Sequence, residues 1–234
     1  MIKAVLFDLD GTLLPMDQDK FLKTYLTLLT IKTSERGYDP KGFPEAVMRS
    51  TYDMIANDGT RSNEAVFWSS FAKIYGERVY EDVSFFDKFY ENEFENARAC
   101  CGVNPRSKEL IEKLKNSGVR RILATNPVFP FVATKRRVEW AGLSPEDFEL
   151  ITTYDNIGYC KPNKEYFAEI VKRQGLAPEE CLMVGNDVSD DMPARLAGLK
   201  VFLLTDCLIN KNGEDVSQYP HGSFKELENY IFNA

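Results

Sequence analysis

"AVLFDLDGTLLP", residues 4–15, is an apolar run that ends in two aspartates, Asp8 and Asp10, and breaks at Gly11. A short continuous apolar run of this kind reads as a strand buried on both faces of a parallel sheet. A carboxylate is costly to bury without a partner, so two at the end of one strand need a reason. An Asx turn would explain an isolated pair. The rest of the chain decides whether this pair is isolated.

Four further apolar runs follow, at residues 121–125, 149–153, 181–185 and 200–204. From the first of these onward, helical patterns such as "KRRVEWAGL", "KEYFAEIVKRQGL" and "DMPARLAGL" separate the runs. Strands alternating with helices predict an α/β fold with a doubly wound parallel sheet in three layers. Residues 15–101 break that alternation. "FLKTYLTLLTI", "FPEAVMRSTYDMIA", "NEAVFWSSFAKIYG" and "FFDKFYENEFENARA" each space their apolar residues helically, with Gly or Pro at the joints. The expected organisation is an α/β core of residues 1–14 plus 102–234, carrying an all-helical cap domain at 15–101. The aromatics of the insertion, among them Trp68, Phe85, Phe86, Phe89 and Phe94, are expected to be core.

Composition narrows the class. Of 234 residues, 44% are hydrophobic and 28% charged, with a net charge of -7; this suits a globular protein and argues against nucleic acid as the partner. No stretch reaches the roughly 20 apolar residues of a membrane span. Five cysteines without CxxC spacing point to reduced thiols and a cytoplasmic protein. The single histidine, His221, rules out a multi-histidine metal site and is expected in an exposed loop. Oligomeric state is not written in the sequence.

Ligands of a doubly wound sheet bind beyond the carboxyl ends of its strands. The chemically loaded residues fall there in order: Asp8 and Asp10, then Thr125 and Asn126, then Lys161, then "GNDVSDD" at 185–191. In this order the chain resembles the haloacid dehalogenase (HAD) superfamily, in its phosphatase-like branch with a helical cap. "DLDGTL" is similar to the first family motif, "ILATN" to the second, Lys161 of "CKPN" to the third and "VGNDVSDD" to the fourth. One departure stands out: Asn186 occupies the position after Gly185 where the family frequently has an acid.

The residues support the same chemistry. Asp8 is placed to attack a phosphate monoester and form an aspartyl-phosphate, dividing one hard hydrolysis into two steps. Asp10, two residues on, points the same way in an extended chain. It can protonate the leaving oxygen and then activate water. Gly11 lets the backbone turn away. Lys161 is expected to pair with Asp8 and the phosphoryl oxygens, and the Thr125 hydroxyl and the Asn126 backbone amide to donate to them. Acids facing a phosphate dianion call for a cation, and Mg²⁺ suits oxygen donors. The resemblance implies that Asp8, the Asp10 carbonyl and an acid of the fourth motif hold it. Asp187 is the preferred ligand, with Asp190 or Asp191 as alternatives.

The expected function is Mg²⁺-dependent hydrolysis of a small phosphorylated metabolite. Asp10 argues against the dehalogenase branch, which lacks that acid. No lysine of the cap (Lys23, Lys32, Lys41, Lys73, Lys88) has a context that marks it for Schiff-base phosphonate chemistry. A sugar-phosphate mutase on the same core is the alternative reaction, and a non-catalytic phosphometabolite-binding module the alternative class. Arg61, in the polar loop "NDGTRSN", is a candidate for reaching a substrate anion.

Overall fold

The computed structural model describes residues 1–233. Six parallel strands form one sheet: β1 (Ala4–Phe7), β2 (Arg120–Leu123), β3 (Leu150–Ile151), β4 (Cys181–Gly185), β5 (Lys200–Leu204) and β6 (His221–Gly222). Their order is β3-β2-β1-β4-β5-β6, so the winding reverses at β1. Ala4 is in register with Arg120 on one side and Cys181 on the other, and Phe7 with Leu123 and Val184. The carboxyl ends of β1, β2 and β4 therefore open on one rim. That rim is where such a sheet binds ligands.

Side chains alternate across the sheet, and the two faces bury different neighbours. Val5, Phe7, Leu123, Val184 and Phe202 pack with α5 (Pro105–Asn116), α6 (Phe131–Trp140) and α8 (Phe224–Phe232). Ala4, Leu6, Ile122, Met183 and Leu203 pack with α7 (Lys164–Arg173) and the 3₁₀ segment Met192–Ala197. This is the doubly wound, three-layer arrangement. Local chemistry starts each helix: Asn104 caps α5 ahead of Pro105, Asn163 caps α7, and a Ser223–Glu226 capping box opens α8.

Between β1 and α5 the chain forms α1 (Gln18–Ser34), α2 (Phe43–Ile55), α3 (Asn63–Tyr75) and α4 (Val83–Glu91), plus 3₁₀ segments at Glu77–Tyr80 and Glu93–Cys100. The way in and the way out run side by side, with a bridge between Met16 and Cys101 and Gly102 N–H donating to Pro15 O at 2.7 Å. In α1 the residues Phe21, Tyr25, Leu29 and Thr33, four apart, make the buried stripe. The aromatic interior of these helices is continuous with the first sheet face: Tyr25 meets Phe129 at 5.2 Å between ring centroids, and Phe94 meets Trp140 at 5.0 Å.

Three local expectations change. The single helix expected over "FFDKFYENEFENARA" breaks at Asn92, whose side-chain amide donates to Lys88 O at 2.7 Å. An amide that bonds the backbone this way competes with helix continuation. The segment "DMPARLAGL", expected as an α-helix, is a 3₁₀ turn with Pro near its start. His221, expected in a loop, sits exposed in the two-residue edge strand β6.

Candidate active site

Asp8, Asp10, Thr125, Asn126, Lys161 and Asp187 all line one cavity of about 260 Å³ at the carboxyl rim, together with Asp190 and Asp191. Asp8 directly follows β1, and its backbone N–H donates to Val184 O at 2.9 Å, which fixes the carboxylate at the rigid end of the sheet. Lys161 Nζ donates to Asp8 Oδ1 at 2.8 Å and to Asp191 Oδ1 at 2.6 Å. Thr12 Oγ1 lies within hydrogen-bond distance of Asp8 Oδ2 at 3.1 Å and of Asn186 Oδ1 at 2.9 Å. Both oxygens of Asp8 are thus oriented.

Lys161 is almost wholly buried. Burial alone would lower its pKa, but the carboxylates of Asp191 and Asp8 outweigh that and push it up, so the ammonium stays charged. Burial pushes Asp191 up, against the pull of Lys161. Asp191 Oδ2 also accepts from the Asp187 N–H at 3.0 Å, so this acid ties the fourth motif to the lysine. Asp187 Oδ1 accepts from the N–H groups of Ser189 and Asp190 in a tight turn.

Asp10 follows two residues after Asp8, with 21% of its side chain exposed. Its Oδ2 is ion-paired to Arg137, while Oδ1 is buried without a partner. Loss of water pushes its pKa up, Arg137 pulls it down, and nearby Asp8 pushes it up again; the net direction is upward. Arg137 itself is 1% exposed, lies 4.4 Å from the centroid of the Phe129 ring, and reaches the site from α6. Nothing in the motif reading pointed to this arginine. Its only signal was the spacing Ala133–Arg137–Ala141, which puts it on the buried stripe of α6.

Asn126 anchors two loops through its side chain: Oδ1 accepts from Lys161 N–H at 3.2 Å, and Nδ2 reaches Asp190 Oδ2 at 3.5 Å. Thr125 presents its carbonyl to the hydroxyls of Thr152 and Tyr166, both at 2.8 Å. Asn186 is buried, and its Nδ2 donates to Cys207 O at 2.7 Å. A carboxylate could not make that bond, which accounts for the amide at a position where an acid is frequent. Gly11 has φ +88, and a side chain there would also collide with the Asn186 amide. Arg61 lies away from this cavity; it is exposed and donates to Ala65 O. None of Lys23, Lys32, Lys41, Lys73 and Lys88 lines the cavity.

The cavity lining holds six carboxylates (Asp8, Asp10, Asp19, Asp187, Asp190, Asp191) and three cations (Arg137, Lys161, Lys211). The balance is negative before any phosphate arrives. Among the described residues no three acids, cysteines or histidines form a closed metal cage. Magnesium does not need one, since it commonly takes one or two carboxylates and keeps water. The all-oxygen donor set and its excess negative charge fit a hard divalent cation.

The proteins to which this chain is similar include several named as phosphatases. The chain is 28% identical over 208 residues to a phosphoglycolate phosphatase of Nitrosospira multiformis, covering 86% of this chain and 82% of that protein. It is 36% identical over 78 residues to a glyceraldehyde 3-phosphate phosphatase of Methanothermobacter thermautotrophicus, a match spanning 30% of this chain and only 34% of that protein. Its fold is similar to that of a HAD phosphatase from Thermococcus onnurineus, with a TM-score of 0.60 at 21% identity over 99% of this chain and 98% of that one. The profile of the haloacid dehalogenase-like hydrolases matches residues 2–198, and the chain belongs to that family.

Proposed function

We propose that this HAD-family phosphatase hydrolyses small-molecule phosphate monoesters with Mg²⁺, through an aspartyl-phosphate on Asp8. The carrying observation is the division of labour between two carboxylates two residues apart. Lys161 and Thr12 hold Asp8 in place, while Arg137 holds one oxygen of Asp10 and leaves the other unpartnered.

Asp8, oriented at both oxygens, is the nucleophile: it attacks phosphorus and the ester oxygen leaves. Asp10 gives its proton to that oxygen and then takes one from the water that hydrolyses the acyl phosphate. Its upward-shifted pKa suits the first step and the Arg137 pair suits the second, because the guanidinium stabilises the carboxylate left behind. Lys161 would set a fixed charge against the transferring phosphoryl group, and the Thr125 hydroxyl and Asn126 backbone amide, whose residues line the same cavity, would donate to its oxygens. Asp8, the Asp10 carbonyl and Asp187 would hold the cation, with Asp190 and Asp191 as neighbouring acids. When bound, Mg²⁺ would offset the charge of the phosphate and orient it.

The helices of residues 15–101 are read as a cap over this site. Leu22 and Phe21 of α1 line the cavity beside Asp10, which supports that reading. A lid of this kind excludes bulk water and admits small phosphates. No helix among the described residues is long and apolar enough to cross a membrane. The five unpaired cysteines fit a reducing, cytoplasmic setting.

The test is phosphate release from p-nitrophenyl phosphate with and without Mg²⁺. Turnover that needs the metal and vanishes in Asp8→Asn supports the proposal. Unchanged turnover in that variant overturns it.

A further inference from the structure

A second cavity, of about 100 Å³, lies between the helical insertion and the core and is walled by Tyr25, Trp68, Phe86, Tyr90 and Tyr154, with Asp87 at its side. It adjoins the site that holds Asp8. Leu22, Val128 and Phe129 line both this cavity and the one that holds Asp8, so the two share a wall. The aromatics of the insertion, expected from the sequence to be plain core, therefore do two things: Phe71 and Phe89 fill the interior, while Trp68 and Phe86 also face a space.

The chemistry of that space is one-sided. No Lys, Arg or His lines it. Its acid, Asp87, is half-buried, and Glu64 lies close enough to Asp87, Asp155 and Tyr154 for their electrostatics to couple. The hydroxyls of Tyr25 and Tyr90 satisfy each other at 2.8 Å, and burial pushes both pKa values up, so the wall carries no cation and presents neutral phenols. One donor is left over. Trp68 is 5% exposed, and its indole nitrogen lies beside the Tyr154 hydroxyl without a hydrogen bond of normal geometry. Buried indole N–H groups usually find an acceptor. An acceptor brought by a ligand would complete it.

Resting on the phosphatase reading above, we infer that this cavity receives the alcohol part of the substrate and selects an uncharged, ring-sized, mainly apolar group. An organic acid is disfavoured there. A carboxylate drawn into this cavity would meet Asp87 with no Lys or Arg in the lining, since the cation felt by its Tyr25 and Tyr90 walls, Arg137, is already paired to Asp10; a small acid would also leave the aromatic walls unfilled. The volume sets an upper bound. A dry apolar cavity of about 150 Å³ accommodates benzene, so about 100 Å³ takes a group no larger than one ring.

The test compares benzyl phosphate, phosphoglycolate and acetyl phosphate with the full-length protein and Mg²⁺, each with an Asp8→Asn control. Benzyl phosphate and phosphoglycolate both release an alkyl alcohol, so the comparison reads the pocket. The expected result is a kcat/KM for benzyl phosphate at least roughly tenfold above that for phosphoglycolate. Thr51, which lines the cavity from α2, supplies a second measurement: Thr51→Trp fills the space and should shrink that ratio by about tenfold. Phosphoglycolate turned over as well as benzyl phosphate, in an Asp8-dependent way, overturns this inference and leaves the phosphatase reading intact. A ratio that Thr51→Trp does not move overturns it as well. No Asp8-dependent release from any of the three, acetyl phosphate included, overturns the phosphatase reading itself.

Discussion

The guanidinium of Arg137 is buried against the carboxylate of Asp10, 127 positions earlier in the chain, and lies against the Phe129 ring. It joins α6 to the loop after β1. Two further bonds, from Nε to Ala133 O and from Nη2 to Thr134 Oγ1, fix its planar fork within α6. Arginine suits such a site because its charge persists on burial and its geometry is rigid.

Arg137→Met should therefore affect both stability and chemistry. Removing one partner of a buried pair typically costs about 3–5 kcal/mol; Asp10 keeps part of its surface open, so the lower end of that range is expected here. Turnover should fall at least about tenfold with KM little changed, because Asp10 acts on the proton in flight and not on binding. Urea denaturation and steady-state kinetics on the same preparation read both effects. Normal kcat in a folded Arg137→Met protein contradicts the positioning role.

Lys161 gives a signed pH dependence. Its folded pKa lies above the ordinary 10.5. The stability from its pairs is therefore fully present below pH 10.5 and is lost as pH rises through the higher folded value. Lys161→Met should cost about 3–5 kcal/mol near neutrality, since it strands Asp191 in the interior. The gap between wild type and variant should stay level from pH 7 to about 10 and close above that. Asp191, pushed upward by burial, acts in the opposite sense: the variant should regain stability as acid protonates it. Denaturation midpoints across pH check both arms.

Gly185 ends β4 with no room beside it, because a Cβ there would overlap the Asp191 carboxylate. Gly185→Ala should push that carboxylate off Lys161, costing about 1–3 kcal/mol. Phosphatase activity should drop with it. A wild-type melting curve would contradict this account of the glycine.

Asn186→Asp tests why an amide stands at the head of the fourth motif. The variant loses the Nδ2 bond to Cys207 O and adds a charge beside Asp8. Metal-free protein should lose about 1–3 kcal/mol by urea denaturation. An unchanged midpoint would show that the bond to Cys207 does not require the amide.

Much of the architecture can be read from the chain because buried parallel strands advertise themselves. Strands β4 and β5 fall at the expected residues, 181–185 and 200–204, since each is a five-residue apolar run between turns. β6 escapes because two residues at a sheet edge bury almost nothing. The six expected site residues meet at one cavity because each follows a strand whose end lies on the same rim. What the linear chain hides is the supporting layer. Arg137 sits in a Lys-Arg-Arg run that reads as a solvated face, and Thr12 meets Asn186 from 174 positions away. Contacts between distant segments leave no periodic trace.

The most direct test of the account is whether phosphate passes through Asp8. Protein mixed with a ³²P-labelled monoester and Mg²⁺ and quenched in acid should carry label that hydroxylamine removes and that maps to the peptide containing Asp8. Asp8→Asn should carry none and release no phosphate. Steady turnover with no label on that peptide, together with an active Asp8→Asn enzyme, would contradict the central claim.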